Sequence, residues 1–519
     1  MFVALGGFTY GFGFSAFVTC QGQPGFYSDF NLDPASTHTA HVLDAVNALF
    51  TAGAAIGSIA QSFIADKYGR RIGLGIAAIC ALVGAALTAG SVTIPMMIVV
   101  RLLMGFGLGM VICLVPLYLS EVAPPRRRGL LAGMTVLSFG TGYLVVAWIA
   151  VGTYFASSQT VAWRVPLALA CVGPMALLCA LPAIPETPRY LIWAGKKEQA
   201  WKVLHRLHRN PRDAEDRVAH AEYTQIVLQV EHDKDLGAGF IQMFRLPTWR
   251  RRAFSAIFLL FASQSTGITG ISNFLPVIFS GLGLTGVMPL VMYGVWTTIG
   301  TLAVAVSIVI VDRVGRRTLL LIGYPLLAIL LLSQALLQNA YINPTDTNPN
   351  KGGLAACLLF LILYIICYQC VDAPSFIWAS EIWPTPIRGK GVSLSFFAYF
   401  VGGLTYTTPS ALAFKNIGWH MYLLYMGLSI ISGILVYFII PETKGLPMEE
   451  LAALFGDEVM VHLTADDTGF VESGPKIQAI GAQVIEFEEK IAYEDEEGRG
   501  SLEDSGKISG TQYHVETVN

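Results

Sequence analysis

Apolar stretches of about 20 residues, each long enough to cross the hydrocarbon core of a bilayer, recur along the sequence as far as residue 440. A chain built this way is a polytopic membrane protein of packed helices. Its composition agrees: 54% of residues are hydrophobic and 13% charged, with a mean hydropathy of +0.57, whereas a soluble domain carries about 25% charged residues. Hydropathy places spans at 1–19, 44–65, 72–92, 96–119, 129–152 and 163–184, then at 253–280, 287–311, 318–340, 353–379, 389–412 and 419–440. The expected fold class is an all-α membrane protein of twelve transmembrane helices in two six-helix repeats, with a small cytosolic helical insert. The expected domains are a six-helix bundle (1–184), a cytosolic helical linker (185–252), a second six-helix bundle (253–440) and an acidic, mostly disordered cytosolic tail (441–519).

Lysine and arginine set the expected orientation. The loop 20–43 and the turns near 93–95, 153–162 and 281–286 contain neither. The alternate loops carry Lys67, Arg70 and Arg71; Arg126, Arg127 and Arg128; Arg313, Arg316 and Arg317; and Arg388 and Lys390. By the positive-inside rule these basic loops, the insert and the tail are cytosolic, and 20–43 is extracellular. Met1 opens almost directly onto apolar sequence with no basic region before it, so the first segment is read as a spanning helix, its cytosolic leader missing, rather than a secretory signal. Seven of the eight cysteines fall in apolar segments; even Cys367 and Cys370, with redox or zinc spacing, lack a second ligand pair and read as packing residues.

The bridge "DKYGRR" (66–71) puts four charges between two apolar runs, and it returns as "DRVGRR" at 312–317. Glycine permits the tight reversal, and the arginines hold it at the membrane surface. "SEVAPPRRRG" at 120 returns as "SEIWPTPIRGKG" at 380, and "PETPR" at 185 as "PETKG" at 441. Three motifs recurring in the same order mark a tandem duplication of a six-helix unit, the architecture of a rocking transporter.

These motifs, with "RLLMGFGLG" and "PETKGLPMEELAALF", resemble the sugar porter family of the major facilitator superfamily, in the style of its fungal members, over residues 1 to about 455. The resemblance implies charged residues that hold the halves together on the inside: Asp66, Arg70, Arg71, Glu121, Arg128, Glu186 and Arg189, with Asp312, Arg316, Arg317, Glu381, Arg388 and Glu442. It also implies a sugar site on spans 7, 10 and 11. There "SQSTGITGISNF" (263–274) matches the family's second glutamine at Gln264, with Thr269 in place of an asparagine and Asn273 in place of a tyrosine. Phe376 stands where the family has a tryptophan, Trp378 follows two residues on, and Tyr399 and Phe400 replace an asparagine–tryptophan pair. These seven residues are the candidate substrate ligands. Gly267 and Gly270, Pro374, and Gly402 with Gly403 are expected to interrupt spans 7, 10 and 11, as irregular backbone is tolerated where it lines a cavity.

Proton-coupled relatives carry an aspartate in span 1, where this chain has Gly13, so Arg101 in span 4 loses its evident partner. Asp372 is the one carboxylate expected deep in the bilayer, and an intramembrane acid is a functional candidate; Asp372 and Arg101 are the candidate coupling residues. No metal, nucleotide or nucleophile motif is present, so neither enzyme chemistry, cofactor, metal nor nucleic-acid partner is expected. The function expected is alternating-access transport of a sugar or related polyol by a monomer in the lipid bilayer, in the plasma membrane. Uniport is the first reading and proton symport the second; a non-transporting nutrient receptor signalling through the tail is the rival from another class.

Overall fold

The computed structural model describes residues 3–122, 128–208, 219–220, 223–224, 226–227, 230, 239–341, 351–384, 387–444, 454–456, 461–463 and 470–472. The first half holds α1 (Ala4–Cys20), the short α2 (Pro24–Asp29), α3 (Thr37–Tyr68), α4 (Arg70–Ala89), α5 (Ile94–Val122), α6 (Arg128–Tyr154), α7 (Gln159–Leu169) and α8 (Val172–Ala180). The insert contributes α9 (Pro188–Trp193), α10 (Lys197–His208) and α11 (Phe240–Arg245). The second half holds α12 (Pro247–Ser265), α13 (Ile268–Ser272), α14 (Leu275–Gly281), α15 (Met288–Val314), α16 (Arg316–Tyr341), α17 (Lys351–Glu381), α18 (Arg388–Thr407), α19 (Ser410–Asn416) and α20 (His420–Ile439).

Ten segments among the described residues are long and apolar enough to cross a membrane. The 17-residue α1 and α18, which carries Arg388 and Lys390 near its start, complete twelve spans. Large apolar side chains such as Phe63, Val99, Phe254, Leu302 and Phe438 point outward, as suits an integral membrane protein whose outer solvent is hydrocarbon.

Two boundaries differ from hydropathy. Helix α3 starts at Thr37, not 44, because Ser36 caps it by accepting from the Thr39 N–H at 3.2 Å. Helix α12 starts at Pro247, not 253: Pro247 occupies a first-turn position, Trp249 is buried, and the buried Arg252 donates to the Ile382 carbonyl at 3.1 Å. Hydropathy penalises those arginines, while the fold satisfies one of them internally.

The charged bridges are turns made twice. Gly69 and Gly315 adopt φ of 95° and 108°, which L side chains resist. Glu186 then accepts from the free N–H groups of Arg70 (3.0 Å) and Arg71 (3.1 Å) at the start of α4, and Glu442 does the same for Arg316 (2.9 Å) and Arg317 (3.0 Å) at the start of α16. A carboxylate there satisfies helix-terminal donors and complements the dipole. Burial pushes the Glu186 carboxyl above its ordinary range, with the N–H donors of Thr187, Arg71 and Arg70 and the Arg70 charge pulling back.

Within the first half, Gly53, Gly57, Gly105 and Gly109 bring α3 and α5 so close that any added Cβ would strike the facing backbone, the small-residue packing usual in membranes. The halves meet where α3 packs on α18 and α6 packs on α15. In the insert, Leu191, Ile192, Ala200, Leu204, Tyr223, Ile226, Val227 and Val230 form a separate small core. The tail expected to be disordered lies outside the described residues, apart from 441–444, 454–456 and an antiparallel pair, β1 (Val461–Leu463) with β2 (Phe470–Glu472).

Only one of the expected interruptions breaks its helix. Gly267, at φ 87°, separates α12 from α13. Pro374 lies inside continuous α17, and Gly402 and Gly403 lie inside continuous α18. Neighbouring helices support a proline-bearing span, and the two glycines serve approach instead: a Cβ on Gly402 would come within 3.0 Å of the Gln264 Cβ. Span 6, expected to be one helix, divides into α7 and α8.

Candidate transport site

A cavity of about 90 Å³ lies between the two halves. The first half supplies Tyr10 and Phe14 from α1 and Phe139 and Tyr143 from α6. The second supplies Thr269 and Ser272 from α13, Tyr293, Trp296, Thr297 and Thr301 from α15, Tyr368, Gln369 and Asp372 from α17, and Tyr399 from α18. Helical periodicity makes this wall: Ile365, Tyr368, Gln369 and Asp372 follow the i, i+3, i+4, i+7 pattern of a single face. The broken seventh span turns Thr269 and Ser272 toward the same space.

The wall combines aromatic faces with hydroxyls and amides. Tyr368 donates to Asp372 Oδ1 at 3.0 Å, and Ser15 Oγ and Tyr293 OH share a hydrogen bond of 2.6 Å. Two buried polar atoms, Trp296 Nε1 and Gln369 Oε1, have no hydrogen-bond partner among the described residues. Such groups are costly to leave unpaired. One is a donor and one an acceptor, which is what a hydroxylated ligand needs.

The candidate ligands divide into those at the cavity and those behind it. Thr269 and Tyr399 line it. Gln264 stands behind Thr269, accepting from its hydroxyl at 2.7 Å. Asn273 is buried away from the wall: its Nδ2 donates to Thr407 Oγ1 at 3.0 Å, and its carbonyl accepts from Gln21 Nε2 at 2.9 Å. Phe376 packs edge-on against Phe139, Phe396 and Tyr399, and Phe400 against Tyr399. Trp378 lies beyond them, donating to the Pro441 carbonyl at 3.2 Å. On a helix, two residues after Phe376 falls on a different face, so Trp378 does not replace the ring at that position.

Arg101 and Asp372 are not joined by an ion pair. Arg101 is buried between the rings of Phe17 and Phe50, at 5.0 and 4.3 Å from guanidinium carbon to centroid, and donates to the Gly13 carbonyl at 3.2 Å. Backbone oxygen and two π faces thus take the place of a span 1 carboxylate. A Cβ at Gly13 would meet Leu108 Cδ1 and Met104 Cε, each at 2.7 Å.

At the insert end, charge clusters repeat in the two halves. Arg70 meets Glu121 at 3.1 Å and Asp66 at 3.9 Å; Arg316 meets Glu381 at 3.2 Å and Asp312 at 2.9 Å. All four contacts lie within one half or the other, and Glu121 also feels the charge of Arg388 from the second half. Contacts that join the halves here include Asp66 with Lys390 at 3.3 Å and Gln61 with Ser393 Oγ and the Gly389 carbonyl. Gly389 leaves room for Asp66, whose Oδ1 would lie 2.8 Å from an added Cβ. Arg388 is buried and donates from Nε to the Trp383 carbonyl at 3.1 Å. Arg317 donates to the Tyr437 carbonyl at 2.7 Å. Arg189 is buried in α9. The Arg128 side chain lies outside the described residues. At the opposite end a vestibule of about 1290 Å³ is lined by Gln21, Gln23, Tyr27, Phe274, Lys415 and Trp419 among others.

The family description "Sugar (and other) transporter" matches residues 1–455. The chain belongs to that family. It is therefore a membrane transporter rather than an enzyme. As a family member it is 29% identical to the MFS-type transporter criB of Aspergillus cristatus over 460 residues, 88% of this chain and 93% of that protein. It is 28% identical to a probable quinate permease of Aspergillus flavus, over 97% of this chain and 93% of that one. It is 30% identical to H(+)/hexose cotransporter 2 of Parachlorella kessleri, over 78% and 75%. Its fold matches that of the proton:xylose symporter XylE bound to 6-bromo-6-deoxy-D-glucose, with a TM-score of 0.76 at 23% identity, covering 88% of this chain and 98% of that one. That likeness establishes the major facilitator fold, twelve helices in two repeats.

Sequence reasoning on this family member missed Gln369, Trp296 and Lys390. An amide three residues before Asp372 on one apolar helix was the available signal for Gln369. For Lys390 it was a place inside the repeated motif, directly after Arg388 and Gly389. Trp296 carried no signal, because an indole in an apolar span is ordinary.

Proposed function

We propose that this transporter moves a sugar or related polyol by alternating access, using the cavity between its halves as the cargo site. The observation that carries the reading is the pair of buried unpartnered groups, Trp296 Nε1 and Gln369 Oε1, on a wall otherwise rich in aromatic faces and hydroxyls. Ring faces pack on the apolar side of a sugar, while the donor and acceptor fix its hydroxyls. Thr269 and Tyr399 act as direct ligands, and Gln264 orients Thr269. Asp66 with Lys390, at 3.3 Å, closes the insert end, which faces the cytosol of a plasma-membrane monomer. Relatives named for hexose and quinate support hydroxylated cargo as a class. Counterflow in vesicles with labelled hexoses, pentoses, disaccharides and polyols tests this. Exchange of at least one compound is expected; binding without exchange of any would establish a receptor instead.

Uniport is the first reading of the energetics, since Gly13 cannot carry a proton. A second reading, proton symport, is favoured by the placement of Asp372 on the cavity wall with one tyrosine partner. Under uniport, uptake never exceeds the external concentration and an uncoupler leaves it unchanged. Under symport, Asp372→Asn abolishes uphill accumulation while exchange continues. Accumulation that survives the substitution rules out Asp372 as the proton site.

A further inference from the structure

We propose that Asp372 makes the central cavity selective against anions, so that the cargo is a hydroxylated compound bearing no negative charge. This deepens the cargo-site reading and rests on it. Among the described lining residues Asp372 is the one acid, and none is lysine, arginine or histidine. The remaining wall is aromatic, aliphatic, hydroxyl or amide, so nothing there offsets a carboxylate or phosphate on the cargo. Arg101, a buried cation of the first half, is engaged elsewhere: it donates to the Gly13 carbonyl at 3.2 Å and is stacked on Phe17 and Phe50. Tyr368 donates its hydroxyl to Asp372 Oδ1 at 3.0 Å, which holds the carboxylate in place without neutralising it. Sugars present donors to such a carboxylate, and an uncharged hydroxyl binding it gains from a charge-assisted hydrogen bond. A cargo carboxylate about 6 Å away, at an effective dielectric constant near 20, is instead repelled enough to weaken binding roughly 100-fold.

Two matched pairs differing only in charge test this: quinate with its neutral carboxamide, and glucuronate with glucose. Binding to the purified full-length chain is measured at pH 8 with labelled compounds, for wild type and for Asp372→Asn, which keeps the shape and the tyrosine contact. The expected result is a neutral member that binds about 100-fold more tightly than its acid, with the gap falling below about 5-fold in Asp372→Asn. The wild-type comparison stands even if the variant does not fold. Acid and neutral members binding wild type equally would overturn the selectivity and leave the cargo site intact. An unchanged gap in folded Asp372→Asn would overturn the role of Asp372. If no neutral member binds, the cavity is not a polyol site, and this inference falls with that reading.

Discussion

Replacing Lys390 by alanine separates a contact between the halves from the contacts within one. Lys390 meets Asp66 at 3.3 Å, with side chains 15% and 33% exposed. A partly exposed pair of this kind contributes about 0.5 kcal/mol, equivalent to roughly a two-fold change in a two-state ratio. Because the pair spans the halves, that factor acts on closure of the insert end and not on folding of either bundle. Glu121→Gln perturbs a different kind of contact. Its carboxylate lies 3.1 Å from Arg70 with side-chain exposures of 2% and 9%, and removing one partner of a buried pair costs about 3–5 kcal/mol. That is a large share of the 5–15 kcal/mol that typically stabilises a domain. Purified variants carrying one introduced cysteine at the insert end would be labelled with a thiol reagent, alongside thermal midpoint and surface abundance. Lys390→Ala should raise the labelling rate about two-fold with an unchanged midpoint, while Glu121→Gln should lower midpoint and abundance together. The double variant Asp66→Asn/Lys390→Ala should show no effect beyond either single change. A Glu121→Gln protein of full abundance and altered labelling would refute the distinction, as would Lys390→Ala with unaltered labelling.

Gln369→Leu removes the acceptor offered to the cargo and should weaken half-saturating counterflow about 10-fold, from about 1–2 kcal/mol of lost hydrogen bonding, without loss of abundance; unchanged half-saturation would remove Gln369 from the site. Gly315→Ala forces a side chain to φ 108° against the Glu442 carboxyl, 2.9 Å from the added Cβ to its carbon, and should cost at least about 1–2 kcal/mol; a midpoint equal to wild type would mean the turn can rearrange. Glu186 holds a proton more tightly folded than unfolded because burial raises it. Its contribution to stability is therefore present below the ordinary carboxyl value near 4.3 and fades as pH rises through the folded value. The midpoint of wild type minus that of Glu186→Gln should accordingly fall over that window and level off above it; a difference independent of pH would contradict the burial argument.

Much of the architecture was legible because it follows from one-dimensional patterns. Spans of bilayer length, basic residues on alternate loops and three motifs repeated in order specify two like bundles before any contact is known. Gly69 with Glu186 and Gly315 with Glu442 belong to this class, since a reversal that tight restricts its residues locally. The same periodicity could not place side chains across the interface between bundles. Trp378 and Phe400 looked equivalent to Tyr399 on the chain, yet only Tyr399 reaches the cavity, because helix rotation and the packing of α17 on α6 decide which face turns inward. Arg101 and Asp372 are the two charges in the membrane whose pairing was open. Their separation depends on where α5 and α17 stand relative to α1, and on the Gly13 backbone carbonyl that takes the Arg101 donor. Likewise, the motif placed Arg70 and Glu121 among the charged residues, but only the fold shows that their ion pair lies within one half and that Lys390 meets Asp66 across the two. Local sequence sets what each helix is and where it turns; long-range packing sets which of its polar groups is satisfied within the protein and which faces the cargo.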